Sequence, residues 1–147
     1  MYLDDITAEI IADGIHLKPE IVNILFRIKP VNRVVLITDN TWVSGKPKGE
    51  YLLGTMPVVN KGDRLELKNS KASILAASCL TMDAMLRNAL KFTRRPLEEI
   101  LQCVTINPAQ YLGIDHFTGQ LREGHNADIN ILNDDLFVEK TIVNGHV

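Results

Sequence analysis

Glu9-Ile10-Ile11-Ala12-Asp13-Gly14-Ile15-His16, then Pro19 through Ile28, then Arg33-Val34-Val35-Leu36-Ile37-Thr38-Asp39 is the run from which the architecture of this chain is read. Glu9 to Ala12 is a short apolar strand running into a polar tip with a turn-permitting Gly14. Pro19 stands where a first helical turn accepts proline, and Ile21, Val22, Ile24, Leu25 and Ile28 recur at helical spacing before Pro30 stops the run. Arg33 to Asp39 is a continuous apolar strand, the pattern of a strand covered on both faces of a parallel sheet, and it too ends in polar residues. Strand, helix and strand make one βαβ unit, so the chain is α/β.

From Thr41 to Asn69 the pattern changes to short alternating segments broken by Gly45, Pro47, Gly49, Gly54, Pro57 and Asn60-Lys61-Gly62-Asp63. This predicts an antiparallel excursion over about 49–68, with strands at Glu50 to Leu53, Met56 to Val59 and Arg64 to Leu67. Helical spacing returns through Leu80, Ala84, Leu86 and Leu90, again after Pro96, and briefly from Pro108 to Leu112 behind an Asn107 cap, with Gly113 as the stop. Ile74 to Ser78 brings small residues to a helix that starts at Ser78 or Thr81. Two strands, Ala127 to Leu132 and Val138 to Val143, close the chain.

With 147 residues, the chain is too short for a complete eight-stranded α/β barrel, which takes about 250 residues. Lys plus Arg is 16 and Asp plus Glu is 18, for a net charge of −2, and the basic runs Lys46-Pro47-Lys48 and Arg94-Arg95 are short. A nucleic-acid partner is therefore not expected. A hydrophobic share of 46% with 23% charged residues is that of an ordinary globular protein. No apolar run approaches the roughly 18 residues of a membrane span and the N-terminus lacks a basic lead into an apolar stretch, so a cytoplasmic protein without membrane partners is expected. Cys79 and Cys103, in helical patterns without metal-ligand spacing, read as buried free thiols.

Functional groups in a parallel α/β sheet or barrel gather at the carboxyl ends of strands. Two strands here end in Asp13-Gly14-Ile15-His16 and Thr38-Asp39. A carboxylate and an imidazole on neighbouring strand ends are able to take a proton from water and to hydrogen-bond a substrate carbonyl, respectively. The alternative is that Asp13 and Asp39 cap the turns that follow and that His16 is a surface residue. His116, His125 and His146 read as surface residues with no metal-binding spacing, and no serine has the context of a nucleophile elbow.

The ordered set Ala8-Glu9-Ile10-Ile11-Ala12-Asp13-Gly14-Ile15-His16, Leu36-Ile37-Thr38-Asp39, Leu75-Ala76-Ala77-Ser78-Cys79-Leu80-Thr81-Met82-Asp83 and Thr105-Ile106-Asn107-Pro108-Ala109 resembles the C-terminal portion of the N-acetylglucosamine-6-phosphate deacetylase family. The tail, with Gly119-Gln120-Leu121-Arg122-Glu123-Gly124-His125-Asn126-Ala127-Asp128 and Thr141-Ile142-Val143-Asn144-Gly145, is similar to the last strands of amidohydrolases in general. Ala77 stands where the family usually has Gly, and Asn40 where it usually has Ala.

The resemblance implies metal-assisted hydrolysis of an acetamide on a small sugar phosphate, in a (β/α)8 barrel joined to a small β-sandwich. Asp39 matches the family's proton-transferring aspartate, His16 its substrate-contacting histidine, and Leu75, Ala76 and Ala77 its substrate-contacting loop; Asp13 is given a positioning role. It further implies that residues 1–117 are the last strands and helices of an incomplete barrel and that 118–147 are strands of the sandwich. The divalent metal, zinc by resemblance, is bound in the family by a Glu and two His from earlier strands, so this chain is expected to hold no metal ligand itself. Unpaired strand edges would then call for a homo-oligomer or for association with the absent N-terminal portion. Two readings stand beside a deacetylase portion: a non-catalytic partner subunit that completes another chain's barrel, and a sugar-phosphate binding module. An amidohydrolase acting on another amide stands further off, because the Ala-Asp-Gly-Ile-His and Leu-Thr-Met-Asp stretches are closer to the deacetylases.

Overall fold

The computed structural model describes residues 5–147. Strand β1 (Ala8–Ile10) leads into helix α1 (Pro19–Ile28), and a 3-10 turn (Val31–Arg33) feeds strand β2 (Val34–Leu36). β1 and β2 pair in parallel, Ala8 with Val34 through Ile10 with Leu36, which is the βαβ unit expected. Both strands are shorter than the apolar runs that mark them. All three residues of β2 are buried, as a strand covered on both faces must be. Pro19 opens α1, Val22 and Phe26 form its buried stripe, and the helix ends before Pro30.

The excursion is a meander of β3 (Gly49–Leu53), β4 (Met56–Asn60), β5 (Arg64–Leu67) and β6 (Leu75–Ser78), antiparallel throughout. Its first three strands are those predicted. β6 is a correction: Leu75 to Ser78 is a strand. Of the two helix starts expected, Thr81 holds and Ser78 does not, since Thr81 is the N-cap of α2 (Met82–Thr93). Ala and Ser carry no strand signal of their own; the free edge of β5 supplies it, pairing Leu65 with Ala77 and Arg64 with Ser78. A single parallel bridge, Asn40 to Ser78, ties the end of β6 to the chain leaving β2.

Helices α3 (Leu97–Gln102) and α4 (Ile106–Tyr111) follow, then the hairpin β7 (Ile129–Leu132) and β8 (Val138–Ile142). Thr105, not Asn107, is the N-cap of α4. Asn107 lies inside the helix, 3% exposed, and its amide donates to the carbonyls of Val31 and Val34, each at 2.8 Å. It is a strut between α4 and the start of β2, a second donor to the Val31 carbonyl, which also accepts the Val34 N–H, and a donor to the Val34 carbonyl. Asn107→Ala is expected to cost about 2 kcal/mol in chemical denaturation, from the two lost hydrogen bonds.

Two apolar cores result. The larger joins Ile10, Val22, Phe26, Val34, Leu36, Met85, Leu86, Ala89, Ile100 and Cys103; the smaller joins Val43, Val58, Leu65, Ala77 and Cys79. Both thiols are free and buried, as expected, although Cys79 follows a strand rather than lying in a helix. Burial pushes the Cys103 thiol up to about 12, which removes the thiolate at neutral pH.

The C-terminal hairpin is clamped to α2 by Arg87, which donates to Asp83 Oδ2 and to the Leu136 carbonyl, both at 2.8 Å, and covers the Phe137 ring at 3.8 Å. Burial works against the Asp83 carboxylate, but hydrogen bonds from Thr81 and Arg87 outweigh it and hold this group below its usual range. The folded value lying below the unfolded one, the clamp is whole at neutral pH and is lost as the pH falls through that depressed value. Gly119, at φ +90°, lies so close to α4 that a Cβ there would sit 2.9 Å from Ala109 Cβ and 3.2 Å from the Thr105 carbonyl oxygen.

Candidate functional site

The parallel register carries the site. Ile10 opposes Leu36, and the Ile37 N–H donates to the Ile10 carbonyl at 2.9 Å, so both strands reach the same edge in step. Asp13 and Asp39 each stand three residues past that last pair. At the first tip the chain turns around the Asp13 side chain. Its Oδ1 accepts the N–H groups of Ile15 and His16, each at 2.8 Å, and its Oδ2 lies 2.6 Å from His16 Nδ1. Gly14 makes this possible with φ +77°, close against Phe92, whose ring carbon would be 3.3 Å from a Cβ at that position. The Asp13 side chain is 0% exposed and that of His16 19%. Asn88 on α2 fixes the approach by donating to the Ala12 carbonyl at 2.9 Å.

At the second tip Asp39 adopts φ +52°, a conformation Asp and Asn reach more readily than other side chains. Its carbonyl accepts the Ser78 N–H at 3.3 Å. Asn40 donates to the Leu80 carbonyl at 2.9 Å and accepts the Ser44 hydroxyl at 3.0 Å, while the Leu80 N–H reaches Ser78 Oγ at 3.1 Å. Asn60, buried, donates to the Lys46 carbonyl at 3.1 Å and so anchors the far end of this loop to β4. The backbone of Asp39 is thus pinned from several sides, yet among the described residues its exposed carboxylate has no hydrogen-bond or ion-pair partner. It is a solvated and unengaged carboxylate on a held backbone.

The bridge from Asn40 to Ser78 brings the end of β6 to this edge as well. Within β6 the register slips so that Leu75 opposes Glu66 and Ala77 opposes Leu65, leaving Ala76 as the extra residue of a bulge. Bulges of this kind re-aim strand ends at the rims of sites. Ala77, 1% exposed, belongs to the smaller core beside Val58 and Leu65. Its methyl fills protein rather than open space.

Of the remaining histidines, His116 is exposed and stacks edge-on against Phe117 at 4.7 Å, and His146 is exposed. His125, read from sequence as a surface residue, is partly buried, and its buried Nδ1 has no partner among the described residues. The loop that holds it folds back through the Asn126 N–H onto the Phe117 carbonyl at 2.8 Å, contacts to which the local sequence gives no clue. A cavity of about 560 Å³ lies among α2, α4 and the tail, walled chiefly by Leu86, Leu101, Leu112, Leu121, Leu132 and Val138; none of Asp13, His16, Asp39 and Leu75 to Ala77 lines it. The Asp13–His16 bond is the feature that sequence reading left out, and Asp-Gly-x-His spacing around a side-chain turn was its available signal.

Among the described residues no three or more His, Cys, Asp or Glu side chains come together in a group able to hold a metal ion. The residues present do not fit a resident metal by themselves.

The amidohydrolase family profile matches residues 1–147. The chain is 37% identical over 147 residues to an N-acetylglucosamine-6-phosphate deacetylase of Lysinibacillus sphaericus, covering 100% of this chain and 37% of that protein. It is 31% identical over 139 residues to a putative N-acetylgalactosamine-6-phosphate deacetylase of Escherichia coli (strain K12), covering 95% of this chain and 81% of that protein. Among solved structures it is similar to the N-acetylglucosamine-6-phosphate deacetylase of Thermotoga maritima, with a TM-score of 0.89 and 34% identity over 98% of this chain and 39% of that one. A mutant of the Mycobacterium smegmatis enzyme in complex with N-acetyl-D-glucosamine-6-phosphate gives a TM-score of 0.91 at 26% identity, covering 99% and 38%.

Proposed function

The chain belongs to the amidohydrolase family, and from that premise we propose that it is the portion of an N-acetylglucosamine-6-phosphate deacetylase that carries the proton-transferring carboxylate and part of the substrate edge. It spans 37% of the length of the Lysinibacillus relative, so the complete activity requires groups beyond it. The observation that carries this reading is the shared edge: Asp39, backbone-pinned with its carboxylate unengaged, stands level with the Asp13–His16 pair.

In this reading Asp39 takes the proton of the water that attacks the acetamide and passes it to the departing amine, which needs a solvated carboxylate that can be reached from both sides. His16 meets the substrate with its exposed ring edge, and Leu75 and Ala76 line the adjoining rim, whereas Ala77 supports it from within the smaller core. β1 and β2 are the last strands of a (β/α)8 barrel within 1–117, and 118–147 belong to a small β-sandwich. Amidohydrolases are generally metal-dependent; the ligands of any such metal, zinc in this proposal, lie outside the described residues. Among the described residues no helix is long and apolar enough to cross a membrane, and a cytoplasmic setting is part of the proposal.

Among the described residues β1 has a neighbour on one side only, and Ile24 on α1 and Leu121 in the tail are 50% and 83% exposed. Such an edge and such apolar surface are covered by association, with a second copy or with the remaining portion of the enzyme. The short Escherichia coli relative, 81% of which this chain covers, favours a second reading, a subunit of about this size that serves another chain or binds sugar phosphate without catalysis.

Acetate release from N-acetylglucosamine 6-phosphate separates the two. The 147-residue chain with zinc is expected to show none, and mixing it with the complementary portion of the Lysinibacillus enzyme is expected to restore turnover. Turnover by the chain alone overturns the account of its missing ligands. Binding of the sugar phosphate with no turnover in either arm selects the second reading.

A further inference from the structure

The buried end of the Asp13–His16 pair has only one chemically consistent arrangement. Oδ1 of Asp13 already accepts two backbone N–H groups at 2.8 Å, so it carries no proton. Oδ2, 2.6 Å from His16 Nδ1, then has two options: to accept Nδ1–H as a carboxylate, or to donate as an acid to a bare Nδ1. Two donors on Oδ1 bind the ionised form, and a charge-assisted N–H···O contact of this length matches it. Nδ1 therefore holds the proton, whatever the state of the other nitrogen.

We infer that Asp13 is a positioning residue that locks His16 in the Nδ1–H tautomer, so that the neutral ring offers its ligand an Nε2 lone pair and reads a hydrogen-bond donor, an N–H or hydroxyl of the sugar. This changes the role expected from sequence, in which His16 would donate to a substrate carbonyl; with Nδ1–H fixed, the neutral ring has no second donor. The inference about the ligand rests on the proposal that His16 faces the substrate, whereas the tautomer itself does not. The lock is built in three parts: a carboxylate with a fully buried side chain, the left-handed Gly14 that lets the next amides fold onto it, and the Asn88 bond that holds the Ala12 carbonyl.

The test is the 15N spectrum of the imidazoles in the full 147-residue chain at alkaline pH, with His16→Gln to assign the resonance. In the unaltered chain His16 is expected to show a protonated Nδ1 and a bare Nε2. Asp13→Asn keeps the shape and one acceptor oxygen but turns a donor toward Nδ1, and is expected to exchange the two signals while leaving the backbone amide spectrum in place. A protonated Nε2 in the unaltered chain, or no exchange in Asp13→Asn, overturns the inference. If Asp13→Asn does not fold, the tautomer of the unaltered chain still decides.

In the reconstituted enzyme, Asp13→Asn and His16→Gln are each expected to lower kcat/KM by about 10–100-fold, and the double variant by no more than the larger single loss. Additive losses would show that Asp13 acts apart from His16 and would overturn its positioning role. An Nδ1–H tautomer in a reconstituted mixture that releases no acetate leaves the lock standing and sinks the deacetylase reading instead.

Discussion

Asp39→Asn is expected to lower kcat for acetate release in the reconstituted enzyme by roughly 10²–10⁴-fold, the range that a positioned general base contributes, with KM little changed. The substitution is clean for reasons visible in the structure. Asn accepts the φ of +52° that Asp39 adopts, and the contact with Ser78 runs through the backbone carbonyl, which the substitution leaves alone. The carboxylate has no partner to lose among the described residues. Thermal unfolding of the variant should therefore match that of the parent within about 1 °C, because an exposed polar exchange shifts stability by a few tenths of a kcal/mol. A large fall in kcat with unchanged stability identifies Asp39 as the proton carrier. An active Asp39→Asn would move that role to another group. Asp39→Ala is the poorer probe, since it adds backbone strain in the left-handed region to the loss of the carboxylate.

The second large effect is on stability. Gly119→Ala is expected to cost about 3 kcal/mol and to lower the midpoint of thermal unfolding by about 10 °C. Two penalties combine there: a left-handed φ of +90° and a Cβ that would meet Ala109 Cβ at 2.9 Å and the backbone of α4 at 3.2 Å. Gly113→Ala separates them. Gly113 has φ +70° but nothing within 4 Å of an added Cβ, so only the conformational part, about 1 kcal/mol, is expected. Equal losses at the two glycines in calorimetry would mean that the tail does not press on α4 as the structure has it.

Much of this architecture is legible in the residues because local chemistry and tertiary structure agree. Pro19, the helical recurrence of Ile21, Val22, Ile24, Leu25 and Ile28, and Pro30 mark α1 without help from the rest of the chain, although the face that packs inward is that of Val22 and Phe26, and the turn residues of 45–63 mark the meander. Where they disagree, distant partners decide. Leu75 to Ser78 becomes a strand because β5 offers an edge, and Asn107 leaves its place as a cap because its amide binds two carbonyls far away in sequence. At the site, the polar strand ends are readable, since a parallel sheet collects them at one edge. The hydrogen bond that makes Asp13 and His16 one unit needs the fold of the tip, and the freedom of the Asp39 carboxylate needs knowledge of everything that does not touch it.

The separation of the apolar interior into two bodies has a consequence for motion. Each body is expected to open as its own cooperative unit, with amide protons of α1, β2 and α2 exchanging with solvent as one set, and those of β3 to β6 as another. Asp39 lies on the seam, leaving β2 on one side and meeting Ser78 on the other. Sub-global opening of either unit is expected to disperse the surroundings of Asp39 without unfolding the rest, so that this opening, rather than the stability of the whole molecule, sets how much of the time those surroundings are in place.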